Sequence, residues 1–298
     1  MALTFAVALA ALFALIMEMP KLLLAGCGFL GLTTARLFHK EGWEVLAVTH
    51  SPESAAALGK EPFQATAADI SDAAAVKGLG SGFDAVVHCA SSGKGGVEAY
   101  RKVFFDGMRN LLTFAPARFL FVSSTSVYAQ TDGIVVTEES AAEPRPETGL
   151  ILRGTEELVL AKHGIAARLA GLYGPGRSVM LKKFFYGNAT IEGDGSRWIN
   201  QVHRDDAADA IFRLIMTSEQ GVFNVVDDRP IQQRALYQWL ATRYQRPLPP
   251  TGEADPNRKR GLTNKRVSNA KLKMTGWQPR FPSFFQAAEN DPRLMQAL

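Results

Sequence analysis

Residues 21–50 read KLLLAGCGFLGLTTARLFHKEGWEVLAVTH. Leu22 to Ala25 is a short apolar run, of the kind that forms a strand buried on both faces of a parallel sheet. Gly26-Cys27-Gly28-Phe29-Leu30-Gly31 then carries glycine in the G-x-G-x-x-G pattern. An amphipathic helix is expected from there to about Lys40, Gly42 should end it, and Glu44 to Thr49 should form a second strand. Each glycine has its own task in such a unit. Gly26 permits the tight turn, Gly28 lets a ligand approach the backbone, and Gly31 packs the helix against the strand. The helix N-terminus, entered through Phe29 and Leu30, then offers unpaired N–H groups to an anion. A strand, a glycine turn, a helix and a second strand in this order read as a dinucleotide-binding unit.

The tip of the second strand narrows the ligand. It reads Thr49-His50-Ser51-Pro52, with no carboxylate before Glu53. An acid at this tip accepts from the ribose 2′-hydroxyl of NAD and would repel a 2′-phosphate. Hydroxyls and an imidazole do not repel it. NADP is therefore the preferred cofactor expected and NAD the alternative, although no Arg stands at the tip to hold the extra phosphate.

The pattern continues beyond the first unit. Phe63 to Ala67 precedes Asp69-Ile70, Ala85 to His88 leads into Cys89-Ala90-Ser91, and Phe119 to Val122 leads into Ser123-Ser124-Thr125-Ser126-Val127-Tyr128. Strands alternating with helices make an α/β, doubly wound parallel sheet of the Rossmann kind, and ligands sit at the carboxyl ends of its strands. The polar strand ends are thus candidate site residues. The expected divisions are an apolar N-terminal extension (1–19), a Rossmann domain (20–171 and 201–226), and a smaller C-terminal substrate lobe (172–200 and 227–298).

Composition limits the alternatives. The 298 residues are 47% hydrophobic with a mean hydropathy near zero, an ordinary globular balance. Seven of the basic residues fall between Asn257 and Lys273, where no acid occurs; the rest of the chain holds 26 basic against 29 acidic residues. A nucleic-acid binder spreads basic charge over a face, so no nucleic-acid partner is expected. The basic stretch reads either as a lobe beside an anionic ligand or as a solvated loop. Cys27 and Cys89 form no disulfide framework or metal-ligand pattern, and no metal is expected. A reducing, cytoplasmic setting is the simplest reading. MALTFAVALAALFALIM at the start is apolar but lacks a basic leader and is short for a bilayer span. Translation from Met17 or Met19, a loose helix, or a membrane anchor would each account for it, and no stable membrane association is expected.

Together these motifs resemble the extended short-chain dehydrogenase/reductase family, which includes the nucleotide-sugar epimerases and dehydratases. The likeness runs from Pro20 to about Phe285. AGCGFLG resembles its glycine turn, ADI at Ala68–Ile70 its adenine-contacting pair, VVHCAS its fourth-strand motif and FVSSTSVYA its fifth. ARLAGLYGPGR, VHRDDAADAI, GVFNVVDD and NKRVSNAKLKMTGWQPRFPSF follow in the family's order. The resemblance implies cofactor contacts at Gly26, Gly28, Phe29, Leu30, Gly31, Thr49, His50, Ser51, Asp69, Ile70, Cys89, Ala90 and Ser91. It implies a catalytic role for Ser124, and marks Tyr128 beside it. It also implies a small-molecule substrate, in one reading phosphate-bearing, and family members are often dimers.

Two departures stand out. In EPRPETGLILRGTEELVLAKHG (Glu143 to Gly164), the family's proton-donating Tyr falls on Gly149. Its partner Lys, one helical turn on, falls on Arg153. Glycine has no side chain, and Arg stays charged and is no base, though it can still bond the ribose. Tyr128, Thr125, His88 or Lys94 are the substitutes the sequence offers. The alternative is a protein that binds the dinucleotide without turnover, as a sensor or scaffold. This departure resembles the family's atypical branch, which also lacks the tyrosine. The second concerns the Arg that holds a nucleotide-sugar diphosphate, whose place is taken by Ile199; Arg197, Arg177 and Arg204 are the nearest replacements.

Overall fold

The computed structural model describes residues 19–93, 95–253 and 263–295. The apolar N-terminal stretch, Lys94 and the Arg258-Lys259-Arg260 run lie outside the described residues. Five strands come first: β1 (Lys21–Ala25), β2 (Glu44–Thr49), β3 (Gln64–Ala67), β4 (Ala85–His88) and β5 (Arg118–Ser124). Ile165–Leu169 and Gly221–Val225 complete a seven-stranded sheet in the order β3-β2-β1-β4-β5, then Ile165–Leu169, then Gly221–Val225. Every pairing in it is parallel.

Side chains alternate across this sheet as the strand period demands. Leu22 and Leu24 of β1 enter the core layer that includes Ala35 and Phe38 of the helix Gly31–Lys40 and Ile211 and Leu214 of the helix Arg204–Met216. Leu23 and Ala25 enter the opposite layer, with Met108 and Leu111 of Gly107–Leu111 and Ile151, Leu152 and Val159 of Glu147–Leu160. Burial of each such Leu is worth about 1.5–3 kcal/mol, so both faces of β1 commit the strand to the centre of a three-layer sandwich. The helix Gly31–Lys40 stops where expected: Gly42 takes φ +86° and its N–H bonds the His39 carbonyl.

A third core lies beyond the carboxyl ends of the strands. Tyr173, Leu181, Phe184, Ile191, Leu236, Tyr237 and Phe284 build it. The short strand Gly171–Tyr173 pairs in parallel with Gln201–His203 and joins this core to the sheet. The described part of the basic stretch is neither a solvated loop nor a bare cationic face. Arg266 Nε donates to the Gly133 carbonyl at 2.9 Å, Lys271 Nζ to that of Val222 at 2.8 Å, and Lys273 pairs with Asp228 at 3.0 Å. Lys265 is buried, its Nζ donating to the Tyr128 carbonyl at 3.0 Å. These cations fold inward because Arg266–Val267 is itself a strand, paired with Val135–Val136.

Candidate functional site

The sheet order reverses between β1 and β4, and the glycine turn lies at that switch point. Gly26 has φ +97°, and a Cβ placed on it would lie 2.2 Å from the Ala90 Cα. The turn after β1 therefore presses on the Cys89-Ala90 segment after β4, and only glycine allows the approach. A Cβ on Gly31 would meet the Gly26 carbonyl oxygen at 2.0 Å, which locks the helix start against the turn. Gly28 is the opposite case: nothing lies within 4 Å of its hypothetical Cβ. Its backbone faces open space.

The N–H groups of Gly28, Phe29, Leu30 and Gly31 have no acceptor among the described residues. They are the unpaired donors of a helix start, aimed where the first turn holds no acid. This cradle fits the pyrophosphate of a dinucleotide: open backbone at Gly28, free donors, and the positive end of a helix dipole.

At the tip of β2, Thr49 is buried and its hydroxyl donates to the Ser51 carbonyl at 3.1 Å. Ser51 caps the helix Pro52–Ala57 by accepting from the Ser54 N–H at 3.3 Å. Of the three residues at this tip only His50 is exposed. Arg36, a cation of the preceding helix, is clamped in two bonds by Glu61, at 2.5 and 2.8 Å. After β3, Asp69 is exposed and accepts from Ser71, while Ile70 is buried and its carbonyl accepts from Asn110 Nδ2 at 3.0 Å. Cys89 and Ala90 are half-buried beside the glycine turn and Ser91 is exposed.

At the end of β5, Ser124 is half-buried. Its oxygen accepts from the Ser126 N–H at 3.1 Å, and its own hydroxyl proton has no acceptor among the described residues. Tyr128 is placed differently from a group meant to reach the cleft. It is fully buried, its hydroxyl donates to Asn224 Oδ1 at 2.9 Å, and the Arg168 guanidinium lies 4.8 Å from its ring centre. Burial raises its pKa, so the phenol stays neutral. His88 is in the core as well. Its Nε2 bonds the Val103 carbonyl at 2.8 Å, Phe104 and Phe121 pack on the ring, and burial pushes its pKa down to about 4. Thr125 is buried.

The helix Glu147–Leu160 carries the first departure, at Gly149 and Arg153. Gly149 is buried, and a Cβ on it would come within 2.4 Å of Pro144 Cβ. Pro144 thus occupies the space that a side chain at position 149 would need. One turn on, Arg153 binds Glu156 and, at 3.5 Å, Glu157. Glu156 is the group that the sequence did not reveal. It is fully buried and accepts from Ser123 Oγ at 2.6 Å, from Arg168 at 2.7 and 3.0 Å, and from Arg153. Only its i, i+3 spacing from Arg153 was visible. Lys265, whose buried ammonium is pushed down to about 8 by desolvation, was also missed. Its place in a basic run hid it.

The remaining charged groups fall elsewhere. Arg197, expected near a diphosphate, is paired with Glu192 at 3.1 Å. His203, Asp205 and Asp291 bring ligand atoms within 4.8 Å of one another, but Arg293 already bridges the two carboxylates, at 2.7 and 2.8 Å. Arg177 and Arg204 both lie over the Phe29 ring, 5.3 and 5.1 Å from its centre.

A seven-stranded parallel sheet with a glycine turn at its switch point defines an NAD(P)-binding Rossmann protein. The chain belongs to the NAD dependent epimerase/dehydratase family, whose sequence model it matches over residues 22–225. Protein YeeZ of Escherichia coli (strain K12) is 28% identical over 239 residues, covering 75% of this chain and 83% of that protein. A candidate NAD-dependent epimerase/dehydratase from Methylobacillus flagellatus superposes with a TM-score of 0.72 at 25% identity, over 94% of this chain and 99% of its own. The UDP-glucose 4-epimerase of Thermotoga maritima with UDP-glucose shares the fold, with a TM-score of 0.74 at 18% identity over 87% of this chain and 94% of its own. No helix among the described residues is long and apolar enough to cross a membrane.

Proposed function

We propose that the chain is an NADP-preferring oxidoreductase acting on a small polar substrate, held between the strand ends and the lobe of residues 172–200 and 227–298. The observation that carries this reading is the free N–H cradle at Gly28 to Gly31 together with a β2 tip where His50 is exposed and no acid stands. Bound there, the nicotinamide would supply or take a hydride. Ser124 would hold the reacting oxygen, because its own proton is uncommitted while Ser126 fixes its orientation. Arg153 would have to loosen from Glu156 to reach a ribose. Nicotinamide fluorescence during titration with NADPH and NADH tests the cofactor half. Tighter NADH binding would sink the preference, and no binding of either would sink the reading.

A second reading, a non-catalytic NADP-binding sensor or scaffold, draws on Pro144 filling the space at Gly149 and on Glu156 engaging Arg153. A screen of carbonyl and carbinol substrates with the NADP-loaded protein separates the two. Turnover that disappears in Ser124→Ala supports the enzyme, and absence of turnover throughout supports the sensor.

A further inference from the structure

The glycine turn has a neighbour from the other side of the cleft. Gly174 and Arg177 close a tight turn through two reciprocal bonds, each N–H to the other's carbonyl at 2.9 Å, with Gly176 at φ +83°. Ser178 then caps the helix Val179–Phe185, accepting from the Leu181 N–H at 3.4 Å. The backbone of Arg177 is therefore held from both sides. The turn also presses on the nucleotide loop: a Cβ on Gly174 would lie 3.5 Å from Phe29 Cζ and 3.0 Å from Arg204 Cβ. Phe29 is the residue next to Gly28, whose backbone is open.

The two guanidiniums over Phe29 are not equivalent. Arg204 pairs with a carboxylate, Asp205, at 3.0 Å, which Arg293 shares. Arg177 is exposed and has no acid partner among the described residues. Its charge is parked on the ring of Phe29, whose backbone N–H is one of the four free donors. A cation–π contact of this exposed kind is worth only about 0.5–1 kcal/mol, so the guanidinium leaves it readily for a stronger acceptor. A phosphate oxygen is such an acceptor, and the planar fork of Arg suits it.

We propose that Arg177 binds the pyrophosphate of the dinucleotide, closing over the glycine turn from the lobe side while Arg204, engaged by Asp205, steadies Phe29 beneath it. This inference rests on the cofactor reading above and adds to it a residue from outside the Rossmann sheet. It also gives cofactor retention a source that does not depend on Arg153, which Glu156 holds.

The test uses the full chain and three ligands: NADPH, NADH and 2′,5′-ADP, the last having no pyrophosphate. Wild type, Arg177→Ala, Arg177→Lys and Arg204→Ala are titrated at low and raised ionic strength, with thermal unfolding as the folding control. Loss of one charge-assisted bond of this type corresponds to a weakening of about tenfold or more. The expected result is that weakening in Arg177→Ala for NADPH and NADH alike, partly restored in Arg177→Lys. It should shrink at raised salt, and 2′,5′-ADP binding should not change. A loss for NADPH and 2′,5′-ADP but not NADH would place Arg177 at the 2′-phosphate and overturn the assignment. Unchanged affinities in a folded Arg177→Ala would overturn it outright. Failure of the wild type to bind either nucleotide would instead remove the cofactor reading, and this inference with it.

Discussion

Pro144 stands where residue 149 would place a side chain: a Cβ built on Gly149 lies 2.4 Å from Pro144 Cβ and 3.0 Å from its Cγ. Position 149 is thus not an open space. The loop before the helix Glu147–Leu160 has closed over it. Gly149→Tyr should therefore destabilise the protein by about 1–3 kcal/mol, the usual cost of overpacking. Urea unfolding measures it, and adding Pro144→Ala to the same chain should recover part of the loss. A Gly149→Tyr protein as stable as wild type would show that the loop yields freely.

Glu156 should be among the most sensitive positions in the domain. It is a buried carboxylate under Arg168, Arg153 and Ser123. Glu156→Gln leaves the Arg168 guanidinium buried without a counter-charge, a change worth about 3–5 kcal/mol. Ser123→Ala, which removes one neutral donor to a carboxylate, should cost less. The two unfolding midpoints should fall in that order.

Tyr128 and Ser124 should separate cleanly. Tyr128→Phe removes the bond to Asn224 inside the core and should lower stability by about 0.5–1.5 kcal/mol, leaving NADPH affinity unchanged. Ser124→Ala should leave both stability and NADPH affinity near wild type and abolish any turnover that is found. Loss of NADPH binding in Tyr128→Phe would mean that the turn it supports shapes the cofactor site.

Stability should respond to pH at two buried groups, with the same sign in each case. Desolvation, the main cause, lowers Lys265 from its ordinary 10.5 to about 8. The unfolded chain then binds more protons than the folded one between those values, so stability rises as pH increases from about 8 toward 10.5. Lys265→Met should flatten that rise. Desolvation also lowers His88 from 6.5 to about 4. Stability should therefore fall as pH drops from 6.5 toward 4, and His88→Gln should reduce the fall. Urea midpoints across both intervals check the two slopes.

The local unit from Lys21 to Thr49 was legible in full, since apolar runs, three glycines and a helical stripe are local properties. The helix end at Lys40 and the strand β4 at Ala85–His88 fall where the pattern put them. Ser124 was legible too, as a hydroxyl at a strand end. The departures at Gly149 and Arg153 could be counted from sequence, but their consequences could not. That Pro144 fills one place depends on how the loop before the helix folds back, and that Glu156 is buried to hold the other depends on Ser123 and Arg168 from neighbouring strands.

The sequence by itself determined the class of fold and the place of the glycine turn, because backbone freedom and hydrophobic period act over a few neighbouring residues. Only the tertiary structure decided which charges are available. Lys273 and Arg293 meet acids brought from other segments, Asp228 and Asp205, whereas Arg177 meets the ring of Phe29. It also decided that Tyr128 and His88 belong to the core. Burial and pairing are set by which segments pack together, and residues far apart in the chain carry no local mark of that.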